Sequence, residues 1–169
     1  MALEPTQTDH SPPVGRSSEP AAGVLLGAIA SAVLAISVFL TWYSVDWRIA
    51  GTGHSESVNG WDATNVARLV FVFALIGLGA LAIELFSRDS ELPVPASIVS
   101  GVCGILAVLF VVYRIASAPD AKVSGLLGFT ALQNFISVTV NTSWGIWVSL
   151  AAAVAMVAGA VLALRSSRT

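Results

Sequence analysis

Glu84 is a carboxylate inside a long apolar stretch, the setting in which an acid can carry protons or ions across a membrane. Arg88 follows four residues later, the spacing at which a glutamate and an arginine meet on one helix face. Glu84 and Arg88 are therefore expected to form a structural ion pair near a helix end. Arg68 and Arg114 also fall near the ends of apolar stretches, with Asp62 and Asp120 as acidic neighbours. Nothing ionisable remains at mid-membrane depth, so a proton relay lacks its usual parts. Asp46, His54, Glu56 and Asp62 share one loop, but a single histidine without ligand spacing does not make a metal site. The one cysteine, Cys103, excludes an intramolecular disulfide and CxxC chemistry, and is expected to be a small packing residue. No serine sits in a nucleophile elbow, and no phosphate-binding or dinucleotide fingerprint occurs. The sequence thus gives no catalytic residue, no metal, no cofactor and no nucleic-acid partner, and it reads as a non-enzyme.

These side chains must be positioned by apolar elements. Hydrophobic residues make up 56% of the 169 and charged residues 11%, with a mean hydropathy of +0.82. That balance is far from a soluble domain's. Four stretches carry it, expected as helices over residues 21–42, 63–87, 94–117 and 144–165. Each approaches the ~20 helical residues that cross a bilayer's hydrocarbon core. The expected fold is an all-α membrane protein, a four-transmembrane-helix antiparallel bundle. Residues 1–20, acidic and rich in Pro, Ser and Thr, read as a disordered tail, their acidity makes the first apolar stretch a retained transmembrane helix rather than a cleaved signal peptide, and residues 166–169 read as a short C-terminal tail.

Local signals agree. Asp62 or Thr64 can cap the second helix, Pro93 and Pro95 open the third, and Thr142 or Ser143 can cap the fourth. Small residues recur at spacing four, as in Gly23-xxx-Gly27, Ser97-xxx-Gly101, Ser100-xxx-Gly104 and Ala155-xxx-Gly159. They are expected to pack helices within the bundle, with dimerisation through Gly23 and Gly27 as the alternative. In the first long loop Val45, Trp47 and Ile49 alternate with Asp46 and Arg48, which is strand periodicity. Gly51-Thr52-Gly53 is expected as a turn, with 54–58 returning as a second strand. In the second loop Ile136, Val138 and Val140 alternate with Ser137, Thr139 and Asn141, behind an amphipathic run at 126–135 that suits a short interfacial helix. The two loops are expected to form a small β cap, with Trp47 and Trp61 filling its seam with the helices.

All five tryptophans and both tyrosines collect at the cap end. Trp42 closes the first apolar stretch, Trp47 and Trp61 follow it, Tyr113 ends the third, and Trp144 and Trp147 open the fourth. Aromatic belts usually mark both membrane faces, so a one-sided set points to extra structure on that side. Trp42, Trp47, Trp61, Tyr113, Trp144 and Trp147 are the expected interaction surface. Basic residues divide evenly between the two sides. Arg165 and Arg168, directly after the last stretch, favour cytoplasmic termini and extracytoplasmic loops.

Phe39-Leu40-Thr41-Trp42-Tyr43-Ser44, Gly60-Trp61, Tyr113-Arg114-Ile115 with Pro119-Asp120, and Trp144-Gly145-Ile146-Trp147 resemble the small, uncharacterised four-helix integral membrane proteins of actinobacterial type. The likeness runs from the first apolar stretch to the C-terminus and implies the same topology, with no activity attached. The layout is also similar to claudin-like tetraspan proteins, though the pair of loop cysteines of that group is missing. The expected function is that of a multi-pass plasma-membrane protein, a non-enzymatic interaction or structural component of the cell envelope. Its expected partners are the lipid bilayer and another envelope protein or a second copy. The alternative is a transporter or carrier of small apolar ligands, with a pocket at the outer helix ends.

Overall fold

A computed structural model describes residues 22–49, 52–86, 94–117 and 136–166. The chain is mostly helical, with three long apolar helices and a small three-stranded antiparallel sheet. In order these are α1 (Ala22–Ser37), β1 (Thr41–Ile49), β2 (Thr52–Asn59), α2 (Gly60–Ala63), α3 (Asn65–Phe86), α4 (Ala96–Ala116), β3 (Ile136–Thr142) and α5 (Trp144–Ser166). Five helices among the described residues replace the four expected, because the second stretch breaks at Thr64. Asn59 Oδ1 accepts from the Asp62 N–H and caps α2, while Thr64 Oγ1 accepts from the Ala67 N–H and starts α3. Thr64 is thus the cap, and Asp62 is not.

Helices α3, α4 and α5 are long and apolar enough to cross a membrane. Helix α1, at 16 residues, rises only about 24 Å. It stops at Ser37, five residues before its expected end, and Trp42 belongs to a strand. Backbone pairing gives the reason. The Val38 and Leu40 carbonyls accept from the Trp61 and Gly60 N–H groups. These bonds come from outside the helix and turn the chain aside, and Ser37 Oγ donates to the Leu34 carbonyl at the same point.

Helix α1 lies between α5 and α3, and α4 packs against α3 and α5. Side-chain size is distributed inside out. Gly27, Ala30, Ser31, Ala67, Ala74, Gly77, Ser97, Ser100, Gly104, Ala107, Ser149, Ala153 and Gly159 point inward, while Ile29, Ile36, Leu69, Leu75, Ile105 and Leu109 are exposed. Small inward residues let backbones approach, which is how helices associate where lipid removes the hydrophobic driving force between them. Gly23, Gly27 and Gly159 show it most closely. A Cβ on Gly23 would stand 2.7 Å from the Gly159 carbonyl oxygen, and one on Gly159 would stand 2.6 Å from the Gly27 nitrogen. Helix α5 therefore occupies the Gly23–Gly27 face, which leaves no room there for a second copy. Ser37 Oγ and Ser149 Oγ lie 2.8 Å apart and bond α1 to α5 again.

The sheet order is β2-β1-β3. Ile49 pairs with Thr52, so Thr52 and Gly53 lie in β2 rather than in the expected turn. The expected helix at 126–135, the tail at 1–20, Pro93, Arg88, Asp120 and residues 167–169 lie outside the described residues.

Gly159→Ala should lower stability by about 1–3 kcal/mol, since backbone atoms must move to admit the methyl group. Gly79→Ala, whose new Cβ meets nothing within 4 Å, should leave stability unchanged or raise it by up to about 1 kcal/mol. Thermal unfolding of the detergent-solubilised protein, followed by the loss of monodisperse material, checks both.

Candidate functional site

Strand β1 follows α1 after a three-residue turn and carries the aromatic residues into the sheet. Thr41, Trp42 and Tyr43 cross the mouth of the helices. Trp42 is fully buried, its Nε1 donating to the Ser37 carbonyl at 3.0 Å and its ring lying against Gly60. A Cβ on Gly60 would stand 2.6 Å from Trp42 Cε2, so only glycine fits there. The Ser143 N–H donates to the Trp42 carbonyl and fixes the entry to α5. Gly145 in the first turn of α5 similarly lets the Thr41 backbone pass. Tyr43 is also buried; its hydroxyl donates to the Arg114 carbonyl at 3.3 Å, and the Arg114 guanidinium lies 5.6 Å from its ring centre. Arg114 Nε has no hydrogen-bond partner.

The expected interaction surface therefore needs correction. Trp42 belongs to the interior, because its indole fills the seam between sheet and helices that Trp47 and Trp61 were expected to fill. Trp61 is half-buried on α2. It stacks on Phe39 at 5.5 Å, meets Phe71 edge-on at 5.5 Å, and carries the Arg68 guanidinium 5.4 Å from its ring centre. That set braces α2 against α3 and pairs Arg68 with an aromatic face rather than with Asp62. Trp47 stands farther out, 39% exposed, its ring 5.6 Å from that of His54. Tyr113 is 58% exposed, Trp144 58% and Trp147 52%. These three sit on the outer surface of the helices near the sheet, where amphipathic rings suit a membrane interface. Glu84 is exposed on α3; Arg88 lies outside the described residues.

The two faces of the sheet differ. On β1, Tyr43, Val45 and Trp47 alternate with Ser44, Asp46 and Arg48. Tyr43 is buried and Val140, paired with Val45, packs towards the core, so that face turns to the helices. Ser44, Asp46 and Arg48 share the opposite face with Ser55, Ser57, Thr139 and Asn141 from the flanking strands. Asn141 Nδ2 donates to Asp46 Oδ2 at 3.3 Å. A polar concavity of about 540 Å³ lies here, lined by Asp46, Trp47, Arg48, Gly53, His54, Ser55 and Thr139. An apolar groove of about 370 Å³ runs between α4 and α5, lined by Ile105, Val108, Leu109, Val154, Val157 and Ala158.

Among the described residues no three His, Cys, Asp or Glu side chains converge on a metal position. No family model matches the chain, and no curated protein matches it.

Trp42→Ala should cost about 3–5 kcal/mol through the void and the lost Nε1 bond, whereas Trp147→Ala should cost under about 1 kcal/mol. Parallel melting curves in one detergent would measure the difference.

Proposed function

We propose that the protein is a multi-pass membrane protein in which α1, α3, α4 and α5 all span the bilayer and the sheet stands outside as a recognition platform for another cell-envelope component. What supports the membrane reading is the inside-out arrangement of side-chain size. Exposed leucine, isoleucine or valine runs along the outside of every long helix, and glycine, alanine and serine make up much of the buried side, with Leu34, Leu81, Ile146 and Met156 among them. In water the outward rows would be exposed apolar surface of the kind that marks a membrane or partner contact. Helix α1 completes its crossing with Val38, Phe39 and Leu40, which lie in the turn after it.

The observation that carries the recognition reading is the locked sheet. Trp42 and Tyr43 hold β1 to the helices, while its far end presents Trp47 and a wholly polar outer face. Interfaces are enriched in exposed tryptophan and arginine, and Trp47 and Arg48 are both exposed here. A protein acting as a mere lipid anchor has no need of a fixed sheet. The carrier reading has less support. The expected pocket at the outer helix ends would lie where Trp42 is packed, and the apolar groove opens on the outer side of α4 and α5.

Two measurements test the proposal. A reporter fused at Ser55 should report an extracytoplasmic position and one at Thr169 a cytoplasmic one; the reverse pair overturns the orientation. A photo-reactive amino acid replacing Trp47 should capture a discrete envelope partner in cells, while one replacing Ile105 on α4 should not. Equal capture at both positions, or none at Trp47, ends the recognition reading.

A further inference from the structure

We infer that the polar concavity on the outer face of the sheet is a saccharide-binding site, taking one or two sugar units of a neutral glycan. The inference deepens the recognition reading and rests on the sheet facing the envelope. The concavity, about 540 Å³, is within the ~300–1,000 Å³ range of small-ligand sites. Most such sites are lined mainly by apolar groups; this one is not. Register puts Asp46, Arg48, Gly53, Ser55 and Thr139 on one face of three adjacent strands, and Trp47 and His54, paired on the opposite face, also border the concavity.

The charges select the ligand. Asp46 and Arg48 stand two residues apart on one strand, about 7 Å along it, and no ion pair joins them. A phosphate or other polyanion would meet the Asp46 carboxylate, and a cationic segment would meet Arg48. Neither is favoured in a site with one charge of each sign. An apolar ligand would strip water from both charges without replacing its hydrogen bonds. A zwitterion would meet both charges and is the competitor that diglycine tests; the neutral class that suits the site is a ligand rich in groups that donate and accept together, and vicinal hydroxyls do both. Asp46 is pre-arranged for them. Its Oδ2 accepts from Asn141 Nδ2, and Oδ1 is left to accept from one hydroxyl. Arg48 supplies paired donors in a rigid fork, and Ser55 and Thr139 add hydroxyls. Gly53, opposite Arg48 on β2, has no side chain to fill the floor. Its Cβ position lies 3.8 Å from Arg48 Cγ, so the arginine stem forms an apolar wall for the C–H face of a sugar ring.

The test uses the full chain in detergent, titrated with cellobiose, maltose and chitobiose, and separately with inorganic phosphate and diglycine. Calorimetry reads the binding. At least one disaccharide should saturate the protein. Asp46→Ala and Arg48→Ala should each weaken it by about tenfold or more, the loss expected for hydrogen bonds to charged groups, and Asn141→Ala by less. Unchanged melting temperatures show that the variants fold. No saturable response to any disaccharide overturns the proposal, as does a response that survives both charge substitutions. Stronger binding of phosphate or diglycine assigns the concavity to another ligand class and overturns it equally. Labelling of a Ser55→Cys variant on intact cells with a membrane-impermeant maleimide separates the two readings. Saccharide binding without external labelling leaves the site standing and removes the orientation.

Discussion

The Trp42 indole, set between the last turn of α1, the glycine that opens α2 and the entry to α5, is the joint on which the two layers depend. A helix end leaves carbonyls without partners, and a low-dielectric surrounding makes each orphan costly. At the end of α1 the Ser37 carbonyl takes the Trp42 Nε1 proton, and the Val38 and Leu40 carbonyls take the Trp61 and Gly60 N–H groups. The same few residues thus end a helix, begin a strand and anchor a second short helix. Gly60 and Gly145 are the steric condition for it, since a side chain at either would drive the ring or the Thr41 backbone away.

Below the joint, α1 is held to α5 by backbone proximity through Gly23, Gly27 and Gly159 and by the Ser37–Ser149 hydroxyl contact. Interhelical hydrogen bonds in membranes are worth only about 0.6–1.7 kcal/mol each, so close packing must do most of the holding. Met156 extends the scheme across the centre. Its flexible end occupies the space that a side chain on Gly77 would take, between α3 and α5, with the Ser31 and Ser100 hydroxyls nearby. Ser100 Oγ is buried without a partner, whereas Ser31 Oγ returns its proton to the Gly27 carbonyl.

Much of this was legible in the residues, and the misses have physical causes. Strand alternation at 45–49 and 136–140 placed the sheet correctly in both loops, because a sheet with one face turned to a core leaves a period of two. The joint was misread because hydropathy cannot separate Val38-Phe39-Leu40-Thr41-Trp42 from a continuing helix. One signal could have separated them. Tyr43 extends the parity of Val45, Trp47 and Ile49, and the run of β-branched and aromatic residues from Thr41 to Val45 favours strand. Interfacial aromatics look alike in sequence whether they anchor, brace or recognise. Only the packing separates the buried Trp42 from the bracing Trp61 and the exposed Trp47.

That division of roles bears on how the sheet can act. Strand β1 is central, and its first residues are immobilised by Trp42 and Tyr43, so the positions of Asp46 and Arg48 are inherited from the helical layer. A site built on such a strand loses little conformational freedom when it is occupied, which favours binding through a few polar contacts. The flanking strand β2 is exposed along most of its length and is an edge, tied down by β1 and by the Asn59 cap of α2. Its Gly53, Ser55 and Ser57 line the polar face opposite the fixed β1 residues. On the proposed reading, adjustment to a ligand falls on β2, while Asp46 and Arg48 stay where β1 is held. The sheet is, on that reading, a rigid reader mounted on the helical layer, with the tight α1–α5 contact beneath it.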